Sequence, residues 1–237
     1  MALQDDIFDA HGGIDRWRAR RCFTVYFSID GSVLAERGRR GALKELAAQG
    51  STRIPSLQIT GFPAPDRRGV YRPDRVAIET LDAATVATRD DPRSVLRGRV
   101  DGAWDDLDLA YFCGMLIWNC LAGPFLLAQP DVKVQEIAPR QELGETWQRL
   151  KAVYPAAAGT LAREQIFCFD QRGFQRRTDY RTPDAENTLV AQYSWAHQVF
   201  SGILVPTLHR SLTLQTDGTV VRSPPRLDIE IFDVMFE

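Results

Sequence analysis

The chain has 237 residues, of which 29 are basic and 31 acidic, so its formal net charge is -2. Acidic residues lie close in sequence to the basic clusters and balance their charge. The sequence has no basic stripe of the kind that nucleic-acid binding requires. No C-x-x-C pair and no metal-ligand spacing occurs among the four cysteines, Cys22, Cys113, Cys120 and Cys168. We therefore expect free thiols in a reducing compartment, no metal, no cofactor and no nucleic-acid partner.

The first twenty residues predict helix. The segment from Leu3 to Arg20 carries apolar residues at helical spacing and is interrupted by Gly12 and Gly13, which indicates one kinked helix or two short ones. At this break we expect His11 to satisfy free backbone groups. Acidic residues stand where a secretory signal needs basic ones, and no apolar run precedes a cleavage site, so we expect a cytoplasmic protein.

Beyond the first helices, the sequence mostly alternates as strands do. Hairpin turns are predicted at Asp30-Gly31, Arg172-Gly173 and Asp217-Gly218, where a residue that tolerates positive φ, or a glycine, separates two β-prone runs. With the other extended runs they predict an antiparallel sheet of about ten strands in a single domain, residues 1–237. The segment Glu142–Pro155 has apolar residues at helical spacing and predicts a short helix over the sheet.

One apolar segment, Leu109–Leu127, contains no charged residue. A Gly-Pro pair ends it, and a helix Asp106–Ala122 would measure about 25 Å, short of a bilayer core of about 30 Å. Its flanks lack the Lys, Arg and aromatic residues expected at a membrane boundary, so we interpret it as a central core helix and expect no membrane span. Helix capping explains the acids around its start better than acid-base chemistry does: Asp101, Asp105, Asp106 and Asp108.

Several segments, taken together and in order, resemble the LolA/LolB-like lipoprotein-carrier half-barrel superfamily. They are "AHGGIDRW", "DGAWDD", "LIWN" and "GPFLL" within Asp101–Leu127, the hairpin "IFCFDQRGFQRRTDY", "YSWAHQVFSGILVPTLHRSL" and "LDIEIFDV". The resemblance implies an α+β, mostly β fold, in which a strongly curved antiparallel sheet forms an incomplete barrel closed by the buried apolar helix. It also implies a hydrophobic cavity that accepts acyl chains or other apolar ligands. Because Cys22 follows two arginines rather than an apolar run, we expect no lipidation.

Candidate ligand-binding residues come from the core helix and from one strand. Alternation puts the strand residues on one face, which we expect to be the concave wall. Ordinary core packing is the alternative interpretation. The candidates are Phe112, Met115 and Trp118 on the helix, and Tyr193, Trp195 and His197 on the strand.

Two functions remain open. The first is a binding module that holds a hydrophobic, amphiphilic or lipid-like small molecule between sheet and helix. The second is an isomerase, cyclase or hydrolase acting on an apolar, natural-product-like substrate in the same cavity, with His197, His209 or Asp179 as acid or base. Asp179 can instead form a rim pair with Arg181. No familiar hydrolase, nucleotide or metal motif occurs, and we favour binding.

Overall fold

The computed structural model describes residues 2–99, 102–155, 158–184 and 186–237, so Asp101, one of the predicted capping acids, lies outside the described residues. Five α-helices lie within them, and a 3-10 helix, Gly123–Ala128, directly follows the fifth. The helices are α1 (Ala2–Ala10), α2 (Ile14–Ala19), α3 (Ser32–Glu36), α4 (Pro92–Gly98) and α5 (Asp106–Ala122).

The strands form one antiparallel sheet, fourteen-stranded over the described residues, in the order β6-β5-β4-β3-β2-β1-β14-β12-β11-β10-β9-β8-β7, with β13 paired to β12. Consecutive strands are neighbours except around β14, which joins β1 to β12. Their bounds are β1 Cys22–Asp30, β2 Leu43–Ser51, β3 Leu57–Thr60, β4 Arg67–Tyr71, β5 Arg75–Thr80, β6 Thr85–Asp90, β7 Lys133–Glu142, β8 Glu145–Val153, β9 Glu164–Phe169, β10 Gln175–Arg181, β11 Leu189–Phe200, β12 Ile203–Leu214, β13 Val220–Val221 and β14 Leu227–Phe236.

Three sequence predictions need correction. The sheet has fourteen strands rather than about ten, because several extended runs are divided by short turns. The helix predicted over Glu142–Pro155 is wrong: Leu143 and Gly144 both have positive φ and form a two-residue turn between β7 and β8. The turn at Asp30-Gly31 leads into α3 rather than a hairpin, whereas Arg172-Gly173 and Asp217-Gly218 do connect paired strands.

Helix α5 occupies the centre of the fold, with the bounds predicted from sequence. The Asp105 carboxylate accepts from the Asp108 backbone N–H at 2.9 Å, and the Asp108 carboxylate accepts from the Asp105 N–H at 3.2 Å, which forms a capping box. The segment Asp106–Ala128 is long and apolar enough to cross a membrane, but its most apolar window is entirely buried within the protein. A core helix meets the same length and composition criteria.

Close approach fixes α5 against the first half of the sheet. At Gly114 a Cβ atom would lie 2.3 Å from the Tyr71 Cβ, so only glycine lets the helix lie this close to β4. Tyr71 and Tyr111 pack with ring centroids 5.5 Å apart. The concave face of the sheet and the helix thus bury one continuous core.

Candidate functional site

The space between α5 and the concave face is almost filled. Phe112 and Met115 line a void of about 20 Å³, which has room for about one water molecule. The Phe112 ring packs on Trp104 with centroids 4.6 Å apart, and Met115 Sδ lies 3.3 Å from an Arg93 guanidinium nitrogen. The prediction of a ligand cavity around Phe112 and Met115 is therefore corrected: neighbouring side chains fill that space.

A larger opening lies at the other end of α5. This groove has a volume of about 320 Å³, at the lower end of the range of about 300–1,000 Å³ for small-molecule sites. Helix α2, the chain after β2, the end of α5 and the 3-10 helix enclose it. Of the predicted ligand-binding residues, only Trp118 lines it. Its apolar lining comprises Ile14, Trp17, Trp118, Ala122, Phe125, Leu126 and Ala128.

The groove is held in shape by aromatic stacking and hydrogen bonds. Trp17 stacks on Phe125 with ring centroids 4.7 Å apart and planes 8° from parallel, and Phe8 also stacks with Phe125, with centroids 6.0 Å apart. Trp118 Nε1 donates to the Ser51 carbonyl at 2.9 Å, which satisfies the indole and fixes its plane. The lining is thus formed before any ligand arrives.

Polar groups lie at the groove as well. The lining includes Thr52, Gln129 and two exposed arginines, Arg18 and Arg53. Thr52 is buried, and its Oγ1 donates to the Arg20 carbonyl at 2.7 Å. An apolar interior with a few polar groups at its border is the composition of a site for an amphiphilic small molecule.

Tyr193 and Trp195 lie on the other side of the sheet. The buried Gln192 is the β11 residue that faces the core helix, with its Nε2 3.8 Å from Cys120 Sγ. Alternation therefore turns Tyr193 and Trp195 to the convex face, where they line a shallow cleft of about 270 Å³ with the exposed Leu143. The prediction that they line the concave wall is wrong, because Tyr193 and Trp195 alternate along the strand with residues such as Gln192 that face the core helix.

His209 belongs to a buried polar network behind α5. Its Nε2 lies 3.0 Å from the Pro206 carbonyl, which can only accept, so Nε2 carries the proton. Its Nδ1 then accepts from the Ser194 hydroxyl at 3.0 Å. Burial lowers the pKa of His209 from 6.5 to about 4. Both ring nitrogens are occupied, and the imidazole is neutral at physiological pH.

His197 lies elsewhere, next to the break between the first two helices. Its Nε2 donates to the Gln175 carbonyl at 3.0 Å, its ring lies 5.1 Å from that of Phe174, and burial lowers its pKa. In the β11–β12 hairpin, His197 lies opposite Pro206 and His209 lies opposite Ser194. The two histidines are therefore not cross-strand partners.

His11 has the structural role expected at the helix break. It is fully buried, and its Nδ1 lies 2.9 Å from the Ile7 carbonyl, so it donates to the end of α1. Its ring centroid lies 6.5 Å from that of His197. Burial lowers the pKa of His11 to about 4.

Asp179 is part of a buried ionic cluster rather than a rim pair with Arg181. Arg177, with no exposed surface, binds Asp179 through two nitrogens at 2.5 and 3.1 Å and Glu142 at 2.7 Å. Tyr193 also donates to Glu142. Burial alone would lower the pKa of Arg177, but its hydrogen bonds to Asp179 outweigh burial and raise it. This arrangement holds β10 against the β7–β8 turn.

The predicted site residues thus do not come together in one site, and most groove residues differ from those predicted. The clearest signal for the groove was the "IDRW" segment at residues 14–17, whose Ile14 and Trp17 lie three apart on one helix face. No group of His, Cys, Asp or Glu suited to a metal ion occurs among the described residues.

An open, curved antiparallel sheet closed by one buried helix, with an apolar groove at the end of that helix, defines a half-barrel protein. The fold is LolA-like. A LolA superfamily protein from Nitrosomonas europaea matches with a TM-score of 0.51 and 12% identity, covering 98% of this chain and 92% of the other. A DUF1329 family protein from Desulfovibrio piger matches with a TM-score of 0.51 and 11% identity over the same shares. Neither a protein-family model nor a curated protein sequence matches the chain.

Proposed function

We propose that the protein binds a hydrophobic or amphiphilic, lipid-like small molecule in the groove beside Trp118. The observation that carries this proposal is the preformed apolar lining around a volume of about 320 Å³. Burial of apolar ligand surface against Trp17, Trp118 and Phe125 would supply the driving force. The LolA-like fold supports the proposal, because the sequence segments that resemble lipoprotein carriers imply an apolar ligand.

The described geometry favours binding over catalysis. None of His197, His209 and Asp179 lines the groove. His209 is enclosed in its hydrogen-bond network, and Asp179 is held by Arg177, so both have structural partners for their polar atoms. A general acid or base must reach a substrate proton directly or through one water molecule.

Binding of Nile red, a neutral environment-sensitive dye, tests the proposal. We expect one saturable site in the native protein. Ala128 lines the groove and is partly buried, so Ala128→Trp should fill the groove and weaken dye binding at least tenfold. The matched control is Ala84→Trp, which adds the same side chain at an exposed turn and should leave binding unchanged. Equal dye affinity in both variants would contradict the proposal, provided both remain folded by circular dichroism.

We also propose a cytoplasmic location. Free cysteines support it, since Cys113, Cys120 and Cys168 are buried thiols and Cys22 is an exposed one. Fractionation of cells that express the protein, with a membrane-impermeant maleimide applied before lysis, tests this location. Labelling of Cys22 only after lysis is expected, and labelling of intact cells would contradict it.

A further inference from the structure

We propose that the groove selects a single-chain amphiphile with an anionic headgroup, which Arg18 and Arg53 bind at the groove's border. This inference rests on the proposed function and specifies the ligand class of the same site. The two arginines come from different elements, α2 and the chain after β2, yet both line the one apolar groove. The apolar chain and the headgroup would both bind at this one groove.

The hydrogen bonding of α2 distinguishes Arg18 from its neighbours. Arg16 donates to the carbonyls of Gly12 and Gly202 at 2.9 and 3.0 Å, and Arg20 donates to the Ser201 carbonyl at 3.1 Å. These two guanidinium groups attach α2 to the β11–β12 turn. Arg18 lies between them in sequence and faces the groove instead.

Neither Arg18 nor Arg53 forms an ion pair with a carboxylate in the part of the chain that the structure describes. Arginines elsewhere commonly do: Arg68 binds Glu79 at 2.7 Å, and Arg210 binds Asp228 at 2.6 Å. Two exposed cationic groups on the lining of an apolar groove, neither of them ion-paired among the described residues, are complementary to a ligand that has an apolar chain and a negative head. A guanidinium group binds carboxylate and phosphate oxygens in the same way, through paired N–H donors.

The size of the groove limits the apolar part of the ligand. A volume of about 320 Å³ lies at the bottom of the range for small-molecule sites, which favours one chain over two. Trp17 and Trp118 would flank that chain, while the head remains at the exposed arginines. Because the arginines are solvated, we expect their contribution to fall as ionic strength rises.

Displacement of Nile red by four ligands with one chain length tests the inference: dodecanoate, methyl dodecanoate, dodecyl phosphate and dodecyltrimethylammonium, each below its micelle concentration. We expect the two anions to displace the dye at concentrations about tenfold lower than the ester, a difference of about 1.4 kcal/mol. The double variant Arg18→Gln/Arg53→Gln should lose this preference and still bind the ester. Arg40→Gln, at an exposed position near the other end of β2, is the control and should keep it.

The outcomes separate the two proposals. If Nile red binds in the groove but the carboxylate and its ester displace it equally, the headgroup inference is wrong while the proposed function stands. If the dye does not bind, both are wrong. Inorganic phosphate should not displace the dye at concentrations where dodecyl phosphate does. Equal displacement by inorganic phosphate would show a site for a free anion and overturn the inference.

Discussion

Trp17 and Phe125 stack with their ring planes 8° from parallel and their centroids 4.7 Å apart. The pair joins α2 to the 3-10 helix after α5, two elements more than a hundred residues apart in sequence. Both rings also line the groove, so a single contact links the position of α2 to the shape of the candidate binding site.

Replacement of Trp17 should therefore affect both stability and binding. Trp17 is 7% exposed, and Trp17→Ala removes a buried aromatic side chain, so we expect a loss of about 3–5 kcal/mol in the free energy of unfolding. The affinity of the Trp17→Ala protein for Nile red should also fall. Trp17→Phe keeps a ring against Phe125 and should retain most of both properties. Urea denaturation and dye titration measure the two effects, and a Trp17→Ala protein with native values for both would contradict this role.

The close contact at Gly114 gives a prediction with a matched control. Gly114→Ala would place a Cβ atom 2.3 Å from the Tyr71 Cβ, and the displacement of α5 or β4 should cost about 1–3 kcal/mol. Gly98, the last residue of α4, has open space around its Cβ position, so Gly98→Ala should be neutral or slightly stabilising. Urea midpoints of the two variants make the comparison. Equal midpoints would show that α5 can move away from β4 at little cost.

In the buried Arg177 cluster, we expect substitutions of Arg177 and Asp179 to have non-additive effects on the free energy of unfolding. Arg177→Leu leaves Asp179 buried without its partner and should cost about 3–5 kcal/mol. Adding Asp179→Leu removes the unpaired charge and should recover part of that loss. As a control, Arg210→Leu breaks an exposed pair with Asp228 and should cost less than about 1 kcal/mol. A double-mutant cycle from chemical denaturation tests the coupling, and strict additivity of the two buried substitutions would contradict it.

Burial of His209 makes stability depend on pH. The folded state holds its pKa at about 4 while the unfolded value is 6.5, so the unfolded chain binds more protons between these values. The contribution of His209 is complete above about pH 6.5 and is lost as the pH falls toward 4. Between about pH 7 and about pH 5 the loss amounts to about 2 kcal/mol.

The variant His209→Gln should remove that share of the pH dependence. Its unfolding free energy should fall less between neutral and mildly acidic pH than that of the native protein, whatever its stability at neutral pH. His11, whose pKa is also lowered to about 4, should account for part of the remaining slope. Identical slopes for variant and native protein would show that His209 does not remain neutral in the folded state.

The core helix was predictable because its signals are local. Asp105 caps its start through its own first turn, and Gly123 follows its last residue, so neither signal depends on distant parts of the chain. The false helix at Glu142–Pro155 shows the opposite case. There Trp147 and Leu150 are buried, as a helix would require, but the positive φ of Leu143 starts a new strand, and leucine gives little sign of such a turn.

The candidate site was only partly predictable. The apolar composition of its helix predicts Trp118 as a ligand-site residue, and Trp118 does line the groove. The face of β11 could not be fixed, since one step in register reverses every side chain and both faces carry apolar groups. The partnership of Trp17 with Phe125 depends on tertiary contact between distant segments, which periodicity does not encode.

The position of β14 has a consequence for synthesis of the chain. This last strand pairs with β1 on one side, Phe23 opposite Phe236, and with β12 on the other, Ser211 opposite Leu227. Strands β2 to β6 and β8 to β12 can each pair with the strand made just before them, and among the described strands β14 alone connects the two groups. The sheet therefore cannot be completed until Leu227–Phe236 has left the ribosome, and until then the apolar surface of α5 must be shielded by an unfinished half-barrel.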